Sequence, residues 1–185
     1  MFQHDERCFG CGEHNAAGLR LRFGALDDQS ISATFATDER YVGPPGLVHG
    51  GILATLLDEA LARLPPALGI VALTSELHVR YRRRVRPGTT LCVVARVVAR
   101  SERRLALAAR LTDESQQVVA EADAVFQEID PASLRGRAPP RSPPPKQRPR
   151  RLPAGSRRIE PSPRERAPTS RAWCPTSPGT PRRSA

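Results

Sequence analysis

Val48-His49-Gly50-Gly51-Ile52-Leu53-Ala54-Thr55-Leu56-Leu57-Asp58-Glu59 is the stretch on which the reading of this 185-residue chain turns. Leu53, Leu56, Leu57, Ala60, Leu61 and Leu64 recur at helical spacing, the stripe of a helix packed on a core. Pro65-Pro66 closes the run, which predicts a helix from Gly50 to Leu64, roughly 20 Å long at 1.5 Å per residue. Asp58 and Glu59 interrupt the apolar stripe, and an acid in such a helix is costly unless it is paired or used. Gly50 and Gly51 allow close approach to the free N–H groups of the first turn, where the helix dipole favours negative charge. A helix start rich in donors, with an acid two turns on, suits acyl transfer.

Outward from the helix, the flanks read as strands. Leu19, Leu21 and Phe23 alternate with Arg20 and Arg22, and Ile31, Ala33 and Phe35 alternate with Ser32 and Thr34. These are two short strands joined across Ala25 to Gln29. Gly43-Pro44-Pro45-Gly46 is a stiff turn that delivers His49 to the helix. After the helix, Leu77, Val79 and Tyr81 alternate with His78, Arg80 and Arg82, so one face is apolar and the other basic. Leu91 to Ala99 is nearly all apolar, as a strand buried on both faces requires. Leu105 to Leu111 and Val118 to Phe126 alternate in turn, with hairpin signals at Ser101-Glu102 and Asp113-Glu114-Ser115. The expected fold class is α+β, one long central helix wrapped by an antiparallel β-sheet.

Charge divides the chain in two. Residues 1 to 130 hold 15 arginines against 17 acids, a net of −2. Residues 131 to 185 hold 13 arginines and Lys146 against Glu160 and Glu165, a net of +12, together with 14 of the 19 prolines. The expectation is a folded domain over 1–130 and a disordered Pro/Arg-rich tail over 131–185. Such a tail reads as an anion-binding arm, as an inert extension, or as GC-rich sequence translated out of frame. Trp173 is its sole aromatic, which argues against base stacking and so against nucleic acid. No apolar run is long enough for a membrane span. Four cysteines without an apolar leader fit a reducing, cytoplasmic setting.

The His49-Gly50-Gly51 triplet with Asp58 nine residues on, Cys8-Phe9-Gly10-Cys11-Gly12, Gly18-Leu19-Arg20-Leu21-Arg22-Phe23 and Thr74-Ser75-Glu76-Leu77-His78-Val79-Arg80-Tyr81 together resemble the hotdog-fold acyl-CoA thioesterases of the phenylacetate-pathway (PaaI-like) type. The likeness runs over about residues 8 to 128. It implies a homodimer or homotetramer that hydrolyses an acyl-CoA to free acid and coenzyme A, with no cofactor. It assigns the oxyanion to the N–H of Gly50 or Gly51, the role of base or nucleophile to Asp58, orientation to His49, and support of the attacking water to Thr74. Asp58 would serve a substrate held largely by the neighbouring subunit. One departure is Gly43, where some relatives place a polar side chain.

Other readings stand beside these. Asp58 alone reads as a helix acid paired with Arg63 or Arg80, and Glu59 is the rival acid, about 100° away around the helix. Thr74 reads equally as an ordinary β-branched strand residue. Arg80, Arg82, Arg83, Arg84 and Arg86 suit the phosphates of coenzyme A, or blunt a strand edge. Cys8, Cys11 and His14, with His4 as a fourth, have zinc spacing, and the same pair reads as a glycine-rich turn or a redox dithiol. A silent acyl-CoA-binding module, motivated by Gly43, and a tail-mediated nucleic-acid binder are the alternative functions.

Overall fold

The computed structural model describes residues 4–27 and 29–134; the tail expected from 131 onward lies almost wholly outside the described residues. Its elements are β1 (Gly24–Asp27), β2 (Ser30–Ala36), α1 (Gly50–Ala62), α2 (Leu64–Ala67), β3 (Ala72–Tyr81), β4 (Thr90–Ser101), β5 (Arg104–Thr112) and β6 (Val118–Glu128). The strands form one antiparallel sheet in the order β1-β2-β4-β5-β6-β3. Helix α1 lies across it, the hotdog arrangement that the sequence motifs imply. No described helix is long and apolar enough to cross a membrane.

The core is the seam between α1 and the inner face of the sheet. Leu56, Leu57, Ala60 and Leu61 of α1 have no exposed surface, and Leu91, Leu107, Leu111, Ala120 and Phe126 close the opposite side. Alternation along β5 and β6 matches this: Leu105, Leu107, Ala109 and Leu111 are buried, as are Ala120, Ala122, Ala124 and Phe126. α1 ends two residues earlier than the periodicity predicts. The prolines seed a separate short turn, α2, in which they occupy the first helical positions where a missing N–H costs nothing.

The N-terminal segment differs from the expected hairpin. Leu19, Leu21 and Phe23 do not form a strand; the hairpin is made by β1 and β2, with β1 inside the stretch read as its loop. The alternation of Leu19 and Leu21 does report burial. Arg20, however, sits in the left-handed region at φ 53°, which breaks an extended run. The amides of Leu19 and Leu21 donate instead to the carbonyls of Phe9 and Gly10, so this stretch ties the cysteine loop to the core.

Strand β3 holds an edge of the sheet, paired with β6 alone. Its inner positions are set by a bulge between Thr74 and Glu76. Leu77, Val79 and Tyr81 lie opposite the buried Ala124, Ala122 and Ala120, whereas Thr74 lies opposite the buried Phe126. Three residues separate Thr74 from Leu77, so strict alternation would turn Thr74 outward. The extra residue at the bulge restores it to the helix side.

Truncation of Leu57 tests the central seam. Leu57→Ala should cost about 2–5 kcal/mol, read as a lower urea midpoint of the full chain. A midpoint unchanged from the parent would mean that α1 does not hold the sheet as described.

Candidate active site

The start of α1 is built by the turn before it. The N–H of Gly43 donates to the carbonyl of Leu47 at 2.9 Å, Gly46 takes a φ of 71°, and Val42 bridges Val48. The amide of Val48 donates to the carbonyl of Val85 and that of His49 to the carbonyl of Tyr41. His49 is then the N-cap of α1, and its Nδ1 accepts the N–H of Gly51 at 2.8 Å. An accepting Nδ1 places the ring proton of a neutral imidazole on Nε2. The carbonyl of His49 accepts from Ile52, which leaves Gly50 as the first-turn N–H with no acceptor among the described residues. The geometry therefore separates two glycines that the sequence left equivalent: the N–H of Gly51 is taken up by the His49 cap, and that of Gly50 remains a donor.

Gly43 acquires a structural reason. A Cβ there would come within 2.8 Å of His49 Cδ2, so the ring of His49 fills the space that a side chain at position 43 would enter. Tyr81 adds a contact that sequence reasoning missed. Its hydroxyl donates to the carbonyl of Gly50 at 3.0 Å, and its ring lies 3.5 Å from where a Cβ on Gly50 would be. The strand pattern marked Tyr81 only as an apolar position, although a tyrosine at the end of a strand facing a helix start carries a hydroxyl that needs a partner.

Two turns on, Thr74 Oγ1 donates to Asp58 Oδ1 at 3.1 Å. Neither arginine considered as a structural partner takes Asp58. Arg63 lies over the ring of Phe23 and reaches Cys11, and Arg80 pairs with Asp123 at 2.6 Å. Burial pushes the Asp58 carboxyl above its ordinary value, the Thr74 hydrogen bond opposes this, and neighbouring Glu59 adds to the rise.

Glu59 points to another flank of α1. It is 9% exposed, and its Oε1 lies 3.0 Å from His4 Nδ1. Cys8 Sγ approaches the Glu59 carboxylate at 3.7 and 3.9 Å, and Cys11 Sγ lies 3.3 Å from His4 Nδ1. The zinc grouping read from spacing therefore needs correction. His14 is outside the cluster, exposed and paired with Glu6 at 2.8 Å, while His4 and Glu59 complete it. Spacing along the loop favoured His14 because a partner 51 residues from Cys8 leaves no local signal. A cavity of about 460 Å³, lined in part by His4, Cys11, Arg22 and Arg63, opens beside this cluster rather than beside Asp58.

The arginine cluster is largely committed to the sheet. Arg80 pairs with Asp123, Arg82 with Glu121 at 3.1 Å, and Arg83 donates to Gln117 at 3.0 Å. Arg84 has no partner among the described residues.

Over residues 45–120 the chain matches the family model of the thioesterase superfamily. A crystallised thioesterase superfamily protein is 28% identical, with a TM-score of 0.61, over 66% of this chain and 62% of its own. This chain thus spans less than two thirds of that relative. The PaaI protein of the Escherichia coli phenylacetic acid degradation operon is 21% identical, with a TM-score of 0.58, over 60% of this chain and 81% of its own. A thioesterase-like protein of Streptococcus pneumoniae TIGR4, crystallised with coenzyme A, is 17% identical with a TM-score of 0.57 over 59% of this chain and 85% of its own. That protein has also been crystallised as a threonine-to-alanine and as an aspartate-to-alanine variant.

The raised Asp58 carboxyl has a consequence for stability. A carboxyl whose folded value lies above its unfolded one stabilises the fold fully below the unfolded value, and that contribution is lost as pH rises through the folded one. Asp58→Asn keeps an acceptor for Thr74 without the charge. It should therefore be more stable than the parent near pH 7, and the gain should vanish at about pH 4 and below. Urea unfolding at the two pH values checks this; an equal gain at both would show that charge burial is not its cause.

Proposed function

We propose that the chain is an acyl-CoA thioesterase whose acid is Asp58 and whose oxyanion donor is the N–H of Gly50. The observation that carries this reading is the division of labour at α1: Gly51 serves the His49 cap while Gly50 remains open, and a half-buried acid with a raised pKa stands two turns further on. A thioester carbonyl at the helix start would be polarised by that N–H in the positive field of the dipole. Asp58, accepting from Thr74, would take a proton from water as it attacks the carbonyl carbon. Collapse of the tetrahedral intermediate breaks the C–S bond, and the proton on Asp58 passes to the departing thiolate. A carboxyl held above its ordinary value suits such a base. The pneumococcal protein's two alanine variants remove a threonine sixteen residues after an aspartate, the same separation as Thr74 from Asp58.

The site is composite in this reading. Gly50 and Asp58 lie eight residues apart on one helix, so their backbones are separated by about 12 Å along the axis. A single carbonyl and its attacking water span far less, so both groups act together only if they come from different subunits. β3 is suited to bring two copies together: it is a ten-residue edge strand, mostly exposed, with Leu73 and Tyr81 about half exposed. It also carries Thr74 and Tyr81, which touch Asp58 and Gly50. A homodimer is the smallest assembly that meets this need, and coenzyme A is the carrier we propose by analogy with the pneumococcal complex. Its phosphates would find Arg84 and Arg86 the least committed cations of the arginine run, neither side chain having a partner among the described residues.

Release of free thiol from short, long and aromatic acyl-CoAs should be measurable, and Asp58→Asn should lower kcat on the order of 10²–10⁴-fold. Parental turnover in Asp58→Asn would sink the assignment; coenzyme A ester binding without turnover in the parent would favour a silent binding module. Gly51→Ala should also be impaired, because its Cβ would come within 2.8 Å of His49 Nδ1 and break the cap. If the site is composite, mixing Asp58→Asn with Gly51→Ala should restore up to about a quarter of parental activity through hybrid dimers. No recovery on verified subunit exchange would place both groups in one subunit.

A further inference from the structure

A second grouping of reactive side chains, separate from Asp58, sits where the N-terminal loop meets α1. We infer that His4, Cys8, Cys11 and Glu59 form a structural zinc site that pins the N-terminal segment to the helix. One ligand atom from each of the four lies within 4.8 Å of every other. The individual separations are 3.0 Å from His4 Nδ1 to Glu59 Oε1, 3.3 Å to Cys11 Sγ and 3.8 Å to Cys8 Sγ, with Cys8 Sγ 3.7 Å from Glu59 Oε2. Ligands at about 2.0–2.3 Å around a tetrahedral zinc stand about 3.3–3.8 Å from one another, so little movement is required. Two sulfurs, one imidazole and one carboxylate select a borderline-soft cation and exclude calcium or magnesium.

The loop is shaped for this cluster. The N–H groups of Gly10 and Cys11 are directed at Cys8 Sγ, so the loop backbone folds around this sulfur. The N–H of Gly12 closes the turn on the carbonyl of Cys8 at 2.9 Å. A Cβ on Gly10 would overlap the Glu59 carboxylate, and one on Gly12 would overlap the backbone of Glu6 and Cys8. Only glycine at both positions allows the loop to wrap this tightly. Arg63 Nη1 lies 3.9 Å from Cys11 Sγ. Zinc with two thiolates and a carboxylate carries a net −1, which this guanidinium offsets. Four protein ligands leave no open position, so the site is structural rather than catalytic. Glu59 is the ligand that the loop sequence lacks, supplied by the residue beside Asp58.

The full chain, purified reduced and without chelator, should contain about one zinc per chain. After metal removal, titration with Co²⁺ alone should develop thiolate-to-cobalt charge transfer and the strong visible bands of a tetrahedral site. Cys11→Ser should lower the charge-transfer intensity to roughly half, since Cys8 remains as the one thiolate ligand. Glu59→Gln, nearly the same in shape, should weaken Co²⁺ binding by on the order of 10²-fold, since even outer-shell partners cost 10–100-fold. His14→Ala should bind as the parent does. Circular dichroism of each variant identifies any that has failed to fold, and the Glu59→Gln and His14→Ala pair decides the ligand set without a cysteine change. Three results would overturn the site: no zinc and no thiolate–cobalt band in the reduced parent, a Cys8–Cys11 disulfide in place of metal, or binding lost in His14→Ala yet intact in Glu59→Gln.

Discussion

Two adjacent acids on a helix that must be buried impose the constraint around which this domain is arranged. Leu56, Leu57, Ala60 and Leu61 have no exposed surface, so α1 cannot turn to bring Asp58 and Glu59 into water. Consecutive helical residues point about 100° apart, so the two carboxylates emerge on different flanks. Each flank has been given a partner. Strand β3 offers the hydroxyl of Thr74 to Asp58, and the N-terminal loop brings His4 and Cys8 to Glu59. The environments drive them oppositely. Burial raises Asp58 more than Thr74 lowers it, whereas the burial of Glu59 is outweighed by His4 and Cys11, which leaves its carboxyl below the ordinary value. One acid is thus poised to accept a proton and the other is held as an anion.

The two partners differ in what the chain had to do to supply them. For Thr74 it was a single extra residue: the bulge at Ser75 moves Thr74 to the inner face, while Ser75 spends its hydroxyl on the carbonyl of Val125 at 2.9 Å. For Glu59 it was a whole segment, anchored by the amides of Leu19 and Leu21 on the carbonyls of Phe9 and Gly10. A register slip at β3 would flip Thr74 outward and leave Asp58 without its donor.

How legible this was in the sequence depends on the range of the interaction. The helix, the turn before it and the later strands follow from periodicity and glycine–proline punctuation, which are local, and they fold nearly as read. The exception is β4, which is buried on both faces only from Leu91 to Ala95 and is largely exposed beyond. The run from Leu19 to Phe23 failed because alternation reports burial and not backbone conformation; Arg20 in the left-handed region keeps both leucines inside without a strand. Asp58 was singled out through the resemblance to a family motif, and its hydrogen bond from Thr74 is what the structure adds. The choice between Gly50 and Gly51 was not legible, since it rests on which N–H the His49 ring takes. Glu59 as partner of the cysteines and Tyr81 as partner of Gly50 are contacts between distant parts of the chain, for which a single sequence holds no spacing rule.

The arginines show the same limit from the side of charge. Read along the chain, Arg80, Arg82, Arg83 and Arg84 are a basic patch ready for phosphates. Read across the sheet, the first two face Asp123 and Glu121 on β6, and Glu121 also binds Arg110 at 3.1 Å. Exposed pairs of this kind add little stability, about 0–1 kcal/mol each, but they lower the positive potential that a nucleotide would meet. The ladder therefore fits the role of an edge kept soluble and in register better than that of a phosphate clamp. Past the last β3 residue, Arg82 and Arg83 both donate their amides to the carbonyl of Val119, which ends the pairing and turns the chain away. Arg84 is the first of the run beyond that point, so it is the end of β3, close to Tyr81 and the start of α1, where the positive charge of this cluster remains available.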